Sequence, residues 1–275
     1  MYGNVLTGVA GYLFAAGHYN RFDWGEFIAT IVGMTLVVSA ACVLNNFLDQ
    51  DIDQIMQRTK KRPSVTGQVS GRAMVIYSLM LLTLGMVALA LWTNWLVVAI
   101  GALGFAIYVW LYGALSKRKS LHGTLVGSIS GAMPIAGGYA AVSGGIDIGL
   151  VVVFLILFFW QFPEFYSIAI YRRKEYKAAG VPVISVVRSI PHTIRWIFIT
   201  TILYVASTLV LTPLGYTGWI YFLIMAYAGY IWIRIGVKGF RAKNPEEWAR
   251  KQMFRQSMYQ IILLCVMLSI GPLLP

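Results

Sequence analysis

The run Val43-Leu44-Asn45-Asn46-Phe47-Leu48-Asp49-Gln50-Asp51-Ile52-Asp53, with Arg58-Thr59-Lys60-Lys61-Arg62-Pro63 after it, marks where a long apolar stretch gives way to charge. The twenty residues 27–46 are predominantly apolar. At about 1.5 Å per residue a helix of that length crosses the roughly 30 Å hydrocarbon core of a bilayer. The pattern recurs: apolar runs at 2–17, 27–46, 73–92, 95–114, 124–142, 149–170, 194–212, 216–235 and 255–273 predict an all-α polytopic membrane protein of about nine transmembrane helices. Composition agrees, with 59% hydrophobic and 12% charged residues, against about a quarter charged in a soluble domain.

A net charge of +12 raises the question of nucleic acid, and the placement of the basic residues answers it. Of 22 lysines and arginines, 21 fall in the connections after the second, fourth, sixth and eighth runs, leaving only Arg21 opposite. By the positive-inside rule these connections and the N-terminus are expected in the cytoplasm, and nucleic-acid binding is excluded as the meaning of the charge. The first run begins almost at Met1, lacks a basic flank and is interrupted by Gly3, Gly8, Gly11 and Gly17, without the features of a cleavable signal peptide. No Arg/Ser-rich transit segment appears either, which favours a bacterial inner membrane. No linker or repeat divides the chain, so residues 1–275 form one transmembrane domain, and Cys42 and Cys265, both within apolar runs, read as buried thiols.

If the second helix continues past its apolar stretch, a spacing of four puts Asn45, Asp49 and Asp53 on one face and turns Asp51 away. Stacked carboxylates at the mouth of a low-dielectric bundle repel one another unless a cation sits between them or one is protonated. Carboxylate and amide oxygens are hard ligands, which suits Mg²⁺, an ion that commonly shares carboxylates with substrate phosphates. The basic run that follows offers Arg58, Lys61 and Arg62 to a diphosphate.

The sixth run ends in Phe158-Phe159-Trp160-Gln161-Phe162-Pro163-Glu164-Phe165-Tyr166, then Tyr171-Arg172-Arg173-Lys174-Glu175-Tyr176-Lys177. Glu164 is a carboxylate within a span, beside a proline expected to kink it, and a candidate for function on that ground. Glu175 lies on the same side as the first acidic cluster, so the two could face each other across a cavity whose aromatic walls stabilise a cation. Gly123, Gly127 and Gly131 recur every four residues, a pattern of close helix packing in lipid. No glycine-rich phosphate loop, nucleophile elbow or dinucleotide fingerprint is present. Two classes fit these residues: an enzyme acting on a diphosphate, or a transporter whose acids bind a coupling cation.

The first motif resembles the first aspartate motif of the intramembrane aromatic prenyltransferase superfamily, in the form used by protohaem IX farnesyltransferases. The likeness extends through Tyr112-Gly113, Lys117-Arg118, Gly123-Thr124, Gly131-Ala132-Met133-Pro134 and Trp160-Gln161-Phe162-Pro163 to Ala179-Gly180-Val181-Pro182. The resemblance implies nine helices around a central cavity with a cytoplasmic cap, and transfer of farnesyl from farnesyl diphosphate to a vinyl group of haem B, leaving a hydroxyethylfarnesyl substituent. It implies Mg²⁺–diphosphate held by Asn45, Asp49 and Asp53, with Glu175 in the place of a second-motif acid. Arg58, Lys61, Arg62, Tyr171, Arg172 and Lys174 are then expected to contact the substrate. Glu164 stands where the family usually carries histidine, which makes it a candidate contact for the acceptor. The family also carries a lysine–proline segment before the first helix, and this chain starts beyond it. Haem A synthase or terminal oxidase assembly proteins are the partners such an activity implies, and a phenolic quinone precursor is the alternative acceptor.

Overall fold

In the computed structural model, which describes residues 2–275, helices account for nearly all of the ordered structure and no strand occurs among the described residues. In chain order they are α1 (Tyr2–Tyr19), α2 (Trp24–Leu48), α3 (Gln50–Ile55), α4 (Gly71–Trp92) and α5 (Trp95–Ala106). α5 runs on through a π-helical segment, Ile107–Ser116, into the short α6 (Lys117–Lys119). Then come α7 (Gly123–Ser143), α8 (Ile148–Tyr171), α9 (Arg173–Ala178), α10 (Ile184–Val187), α11 (Ile190–Leu209) and α12 (Trp219–Gly239). The last long rod begins with α13 (Pro245–Trp248), passes through a second π-helical segment, Ala249–Phe254, and continues as α14 (Arg255–Ile270).

Seven of these rods are long and apolar enough to cross a membrane, so the chain is a multi-pass membrane protein. α1 and α11 fill the other two expected spans in length but are less apolar, and each has its own physical reason. Polar content in α11 comes largely from buried threonines. Thr200 and Thr201 donate 2.7 Å hydrogen bonds to the carbonyls of Trp196 and Ile197, and Thr193 and Thr208 are likewise satisfied by Ser189 and Val205. α1 packs along α7 and against α14, with Tyr12, Phe14 and Ala15 fully buried. Its glycines make that approach possible: a Cβ on Gly11 would stand 2.2 Å from the Ile135 carbonyl oxygen, and one on Gly138 would stand 2.0 Å from that of Gly8. In lipid such small-residue contacts replace the hydrophobic drive of water.

At one end of the bundle the connection after α3 and the α9–α10 segment meet over Ile52, Met56 and Val181, with Tyr176, Ala179 and Val183 around them. This small separate core forms a cap carrying the basic segments. Between cap and bundle lies a cavity of about 710 Å³, within the size range of small-molecule sites.

Candidate functional site

α2 ends at Leu48 and α3 begins at Gln50, yet the four-residue register survives the break. The amide of Asp49 donates to the Asn45 carbonyl at 2.9 Å, and that of Asp53 to the Asp49 carbonyl at 2.8 Å. Asn45, Asp49 and Asp53 therefore share one face, all line the cavity, and are only 7%, 1% and 4% exposed. Asp51 points away into solvent.

Buried carboxylates must be paired, and each here has a cation. Asp53 Oδ2 accepts from Arg62 Nη1 at 2.5 Å, and the same guanidinium reaches Asn46 Oδ1 at 2.9 Å. Asp49 accepts from Lys117 Nζ through Oδ2, which also accepts from Asn45 Nδ2 at 2.8 Å. Arg118 grips Asp51 with both terminal nitrogens, at 2.6 and 2.7 Å, and donates to the Leu48 carbonyl at the end of α2. The Arg118 hydrogen bond holds the Asp51 carboxyl below its ordinary range.

Two oxygens stay without a partner: Asn45 Oδ1 and Asp49 Oδ1, both buried. Arg118 Nη2 stands 3.9 Å from the latter, beyond hydrogen-bonding distance. Unpaired buried acceptors are costly, and two on adjacent turns of one cavity wall fit a hard divalent cation such as Mg²⁺. Among the described residues no cluster of three His, Cys, Asp or Glu side chains could hold a metal, so a cation here would need the two carboxylates, the Asn45 amide and oxygens of a ligand.

Arg58, Arg62, Lys117, Tyr171 and Arg172 line the same mouth. Lys61 and Lys174 are exposed outside the lining, and Glu175 sits beside the mouth, bonded to Arg172 at 3.5 Å. Glu164 is half-buried on α8, which continues through Pro163, and lies off the lining while its neighbours Gln161 and Phe165 are on it. Sequence reasoning missed Lys117, whose place among three basic residues reads as a topology signal. Its position comes from the π-helical segment before it, an irregularity frequent at functional sites.

That segment also supplies two rings of the aromatic wall. Tyr108 and Tyr112 line the cavity with ring centroids 5.6 Å apart, and Lys117 Nζ lies 5.8 Å from the Tyr112 ring centre. The second π-helical segment contributes Phe254. The expected wall around Trp160 is instead largely packing: the Trp160 indole donates to the Ser257 carbonyl at 2.9 Å, and Phe158 packs edge-to-face with Phe159 and Phe162. Deeper, the cavity is walled by Met34, Val37, Ala41, Ile100, Phe105 and Met133, with the Cys42 thiol at its side.

The model of the UbiA prenyltransferase family matches residues 4–258. A protein named protoheme IX farnesyltransferase from Yersinia enterocolitica is 40% identical over 270 residues, spanning 98% of this chain and 90% of that one. One of the same name from Sodalis glossinidius is 40% identical over 276 residues, spanning 100% and 92%. Among solved structures, a digeranylgeranylglyceryl phosphate synthase superposes with TM-score 0.82 at 18% identity, over 98% of this chain and 92% of its own. A UbiA homolog from Archaeoglobus fulgidus bound to GPP and Mg²⁺ gives 0.69 at 14% identity, over 98% and 96%.

Proposed function

The chain belongs to the UbiA prenyltransferase family, and from that premise we propose that Asn45, Asp49 and Asp53 hold a divalent cation against the diphosphate of its prenyl donor. The enzyme is a protohaem IX farnesyltransferase: it moves a farnesyl group to protohaem and makes haem O. The observation that carries our assignment of the site is the pair of buried, unpartnered oxygens on Asn45 and Asp49 at the mouth of the cavity. Mg²⁺, when bound there, would neutralise charge growing on the leaving diphosphate as the allylic carbon–oxygen bond breaks.

The chain's own residues divide the rest of the work. Lys117, Arg58, Arg62 and Arg172 offer positive charge to the oxygens that become anionic, already placed before the bond breaks. Lys117 and Arg62 are paired with Asp49 and Asp53, while Arg58 and Arg172 leave the lining of the empty mouth net positive, which favours an incoming diphosphate. Tyr108, Tyr112 and Phe105 line the cavity, where the negative faces of their rings stabilise the allylic cation, and the apolar wall beyond keeps bulk water from it. The acids hold cations and are not general bases. The membrane is a bacterial inner membrane, with the basic connections and this mouth on the cytoplasmic side.

Cells lacking their own haem O synthase, supplied with this gene, are expected to accumulate haem O in an acid–acetone extract. A prenylated benzoate in its place would reassign the acceptor. In purified protein, chelation with EDTA is expected to stop diphosphate release, and added Mg²⁺ to restore it. Lys117→Met removes a charge-assisted hydrogen bond worth about 1.5–3 kcal/mol, so KM for farnesyl diphosphate is expected to rise about 10- to 100-fold. An unchanged KM would place Lys117 outside substrate binding.

A further inference from the structure

This inference rests on protohaem being the acceptor. When the farnesyl carbon joins the terminal carbon of a vinyl group, the vinyl π electrons form the new bond, and positive charge is left on the carbon attached to the pyrrole ring. That second cation has two fates. It takes up water and releases a proton, giving an alcohol, or it loses a proton directly, giving a diene lighter by one water. Haem O is the alcohol. A cavity that keeps bulk water from the first cation must therefore still hold one water for the second.

We propose that Gln161 is the residue that positions this water, through its side-chain oxygen. Gln161 lines the cavity yet is only 5% exposed. Its Nε2 donates to the Ser128 carbonyl at 3.0 Å and to the Leu157 carbonyl at 2.9 Å, so both amide protons are spent on backbone. Two carbonyl partners fix which end of the amide is nitrogen, and Oε1 is the atom left for a ligand. The amide lies flat on α7 at Gly131, where a Cβ would stand 2.0 Å from Oε1. One residue earlier, Ser130 also lines the cavity; its hydroxyl proton goes to the Gly127 carbonyl at 2.8 Å, leaving its oxygen as an acceptor too.

Met133, Pro134 and Ile168 add apolar side chains to the lining of the same cavity. A water that gives its protons to these two acceptors turns a lone pair away from them, into the cavity. The lone pair forms the carbon–oxygen bond, and the oxonium proton passes to the released diphosphate at the mouth. An amide is too weak a base to keep that proton, so Gln161 is a positioning residue.

The test separates this role from one of merely joining α7 to α8. Purified enzyme is supplied with Mg²⁺, farnesyl diphosphate and protohaem in ¹⁸O-labelled water, and the haem products are resolved by mass spectrometry. Wild type is expected to give labelled alcohol. Gln161→Leu is expected to raise the diene-to-alcohol ratio roughly tenfold or more, the effect of losing one hydrogen bond to the attacking water. Gly131→Ala, which displaces Oε1 while retaining the glutamine, is expected to shift the ratio the same way, and it keeps the test decisive if Gln161→Leu fails to fold. A slower enzyme with an unchanged product ratio overturns the positioning role. Wild type that makes no farnesylated haem overturns the acceptor assignment beneath it, a distinct failure.

Discussion

Asp49→Ala is expected to lower turnover by at least about 10²–10³-fold while the bundle stays folded. Two effects act together. The substitution removes one of the two unpartnered oxygens and the acceptor of Lys117 Nζ, so the mouth loses cation affinity and gains a mobile positive charge. The fold does not depend on that side chain, because the register from α2 into α3 is carried by backbone bonds from Asp49 to Asn45 and from Asp53 to Asp49. Asp53→Ala is expected to act alike by releasing Arg62, whose second bond to Asn46 keeps it near the mouth. Size-exclusion profiles and circular dichroism in detergent report folding, and release of diphosphate reports turnover. Wild-type activity in either variant would refute the assignment.

The second large effect is on the fold. Gly138→Val is expected to abolish recovery of monodisperse protein, because even the first side-chain carbon would stand 2.0 Å from the Gly8 carbonyl oxygen and 2.9 Å from the Tyr12 amide nitrogen. These atoms belong to backbone and cannot swing aside, so α1 and α7 would have to part. Separation would expose Tyr12 and Phe14, which are fully buried. Overpacking in a close-packed interior typically costs about 1–3 kcal/mol, and a clash with rigid backbone belongs at or above the top of that range. Thermal unfolding in detergent measures the loss; Gly67→Ala, at a glycine with nothing within 4 Å but a left-handed backbone, is expected to be milder.

Much of the architecture is legible in the sequence because lipid allows few solutions: long apolar runs must be helices, and the basic connections mark one end. Asn45, Asp49 and Asp53 could be aligned from spacing alone because the helical register outlasts the apolar stretch. α1 was harder to read. Its glycines look like interruptions in one dimension, and only the partner helix shows that Gly8 and Gly11 are contact surfaces.

The cavity lining was less legible, since it depends on directions that spacing along one helix does not fix. Tyr108, Tyr112 and Lys117 reach the mouth from π-helical geometry, which leaves no simple periodic mark. Conversely, Lys61 and Lys174 sit in the right segments but project outward, and Glu175 turns to Arg172. Glu164 falls just off a lining that includes the residues at 161 and 165 on the same helix. Gln161 had appeared only as part of a family signature; its chemistry depends on Gly131 and two carbonyls on α7 and α8.

The proposed role of Asn45, Asp49 and Asp53 is to hold a divalent ion against a diphosphate. A structure with Mn²⁺ and the unreactive thiolo analogue of farnesyl diphosphate tests it most directly, because manganese can be located by its anomalous scattering. A manganese peak is expected within bonding distance of the Asp49 carboxylate and a diphosphate oxygen, with Lys117 moved from Asp49 onto the phosphate. Diphosphate bound elsewhere, with Lys117 still on Asp49 and no metal beside the three residues, would contradict it.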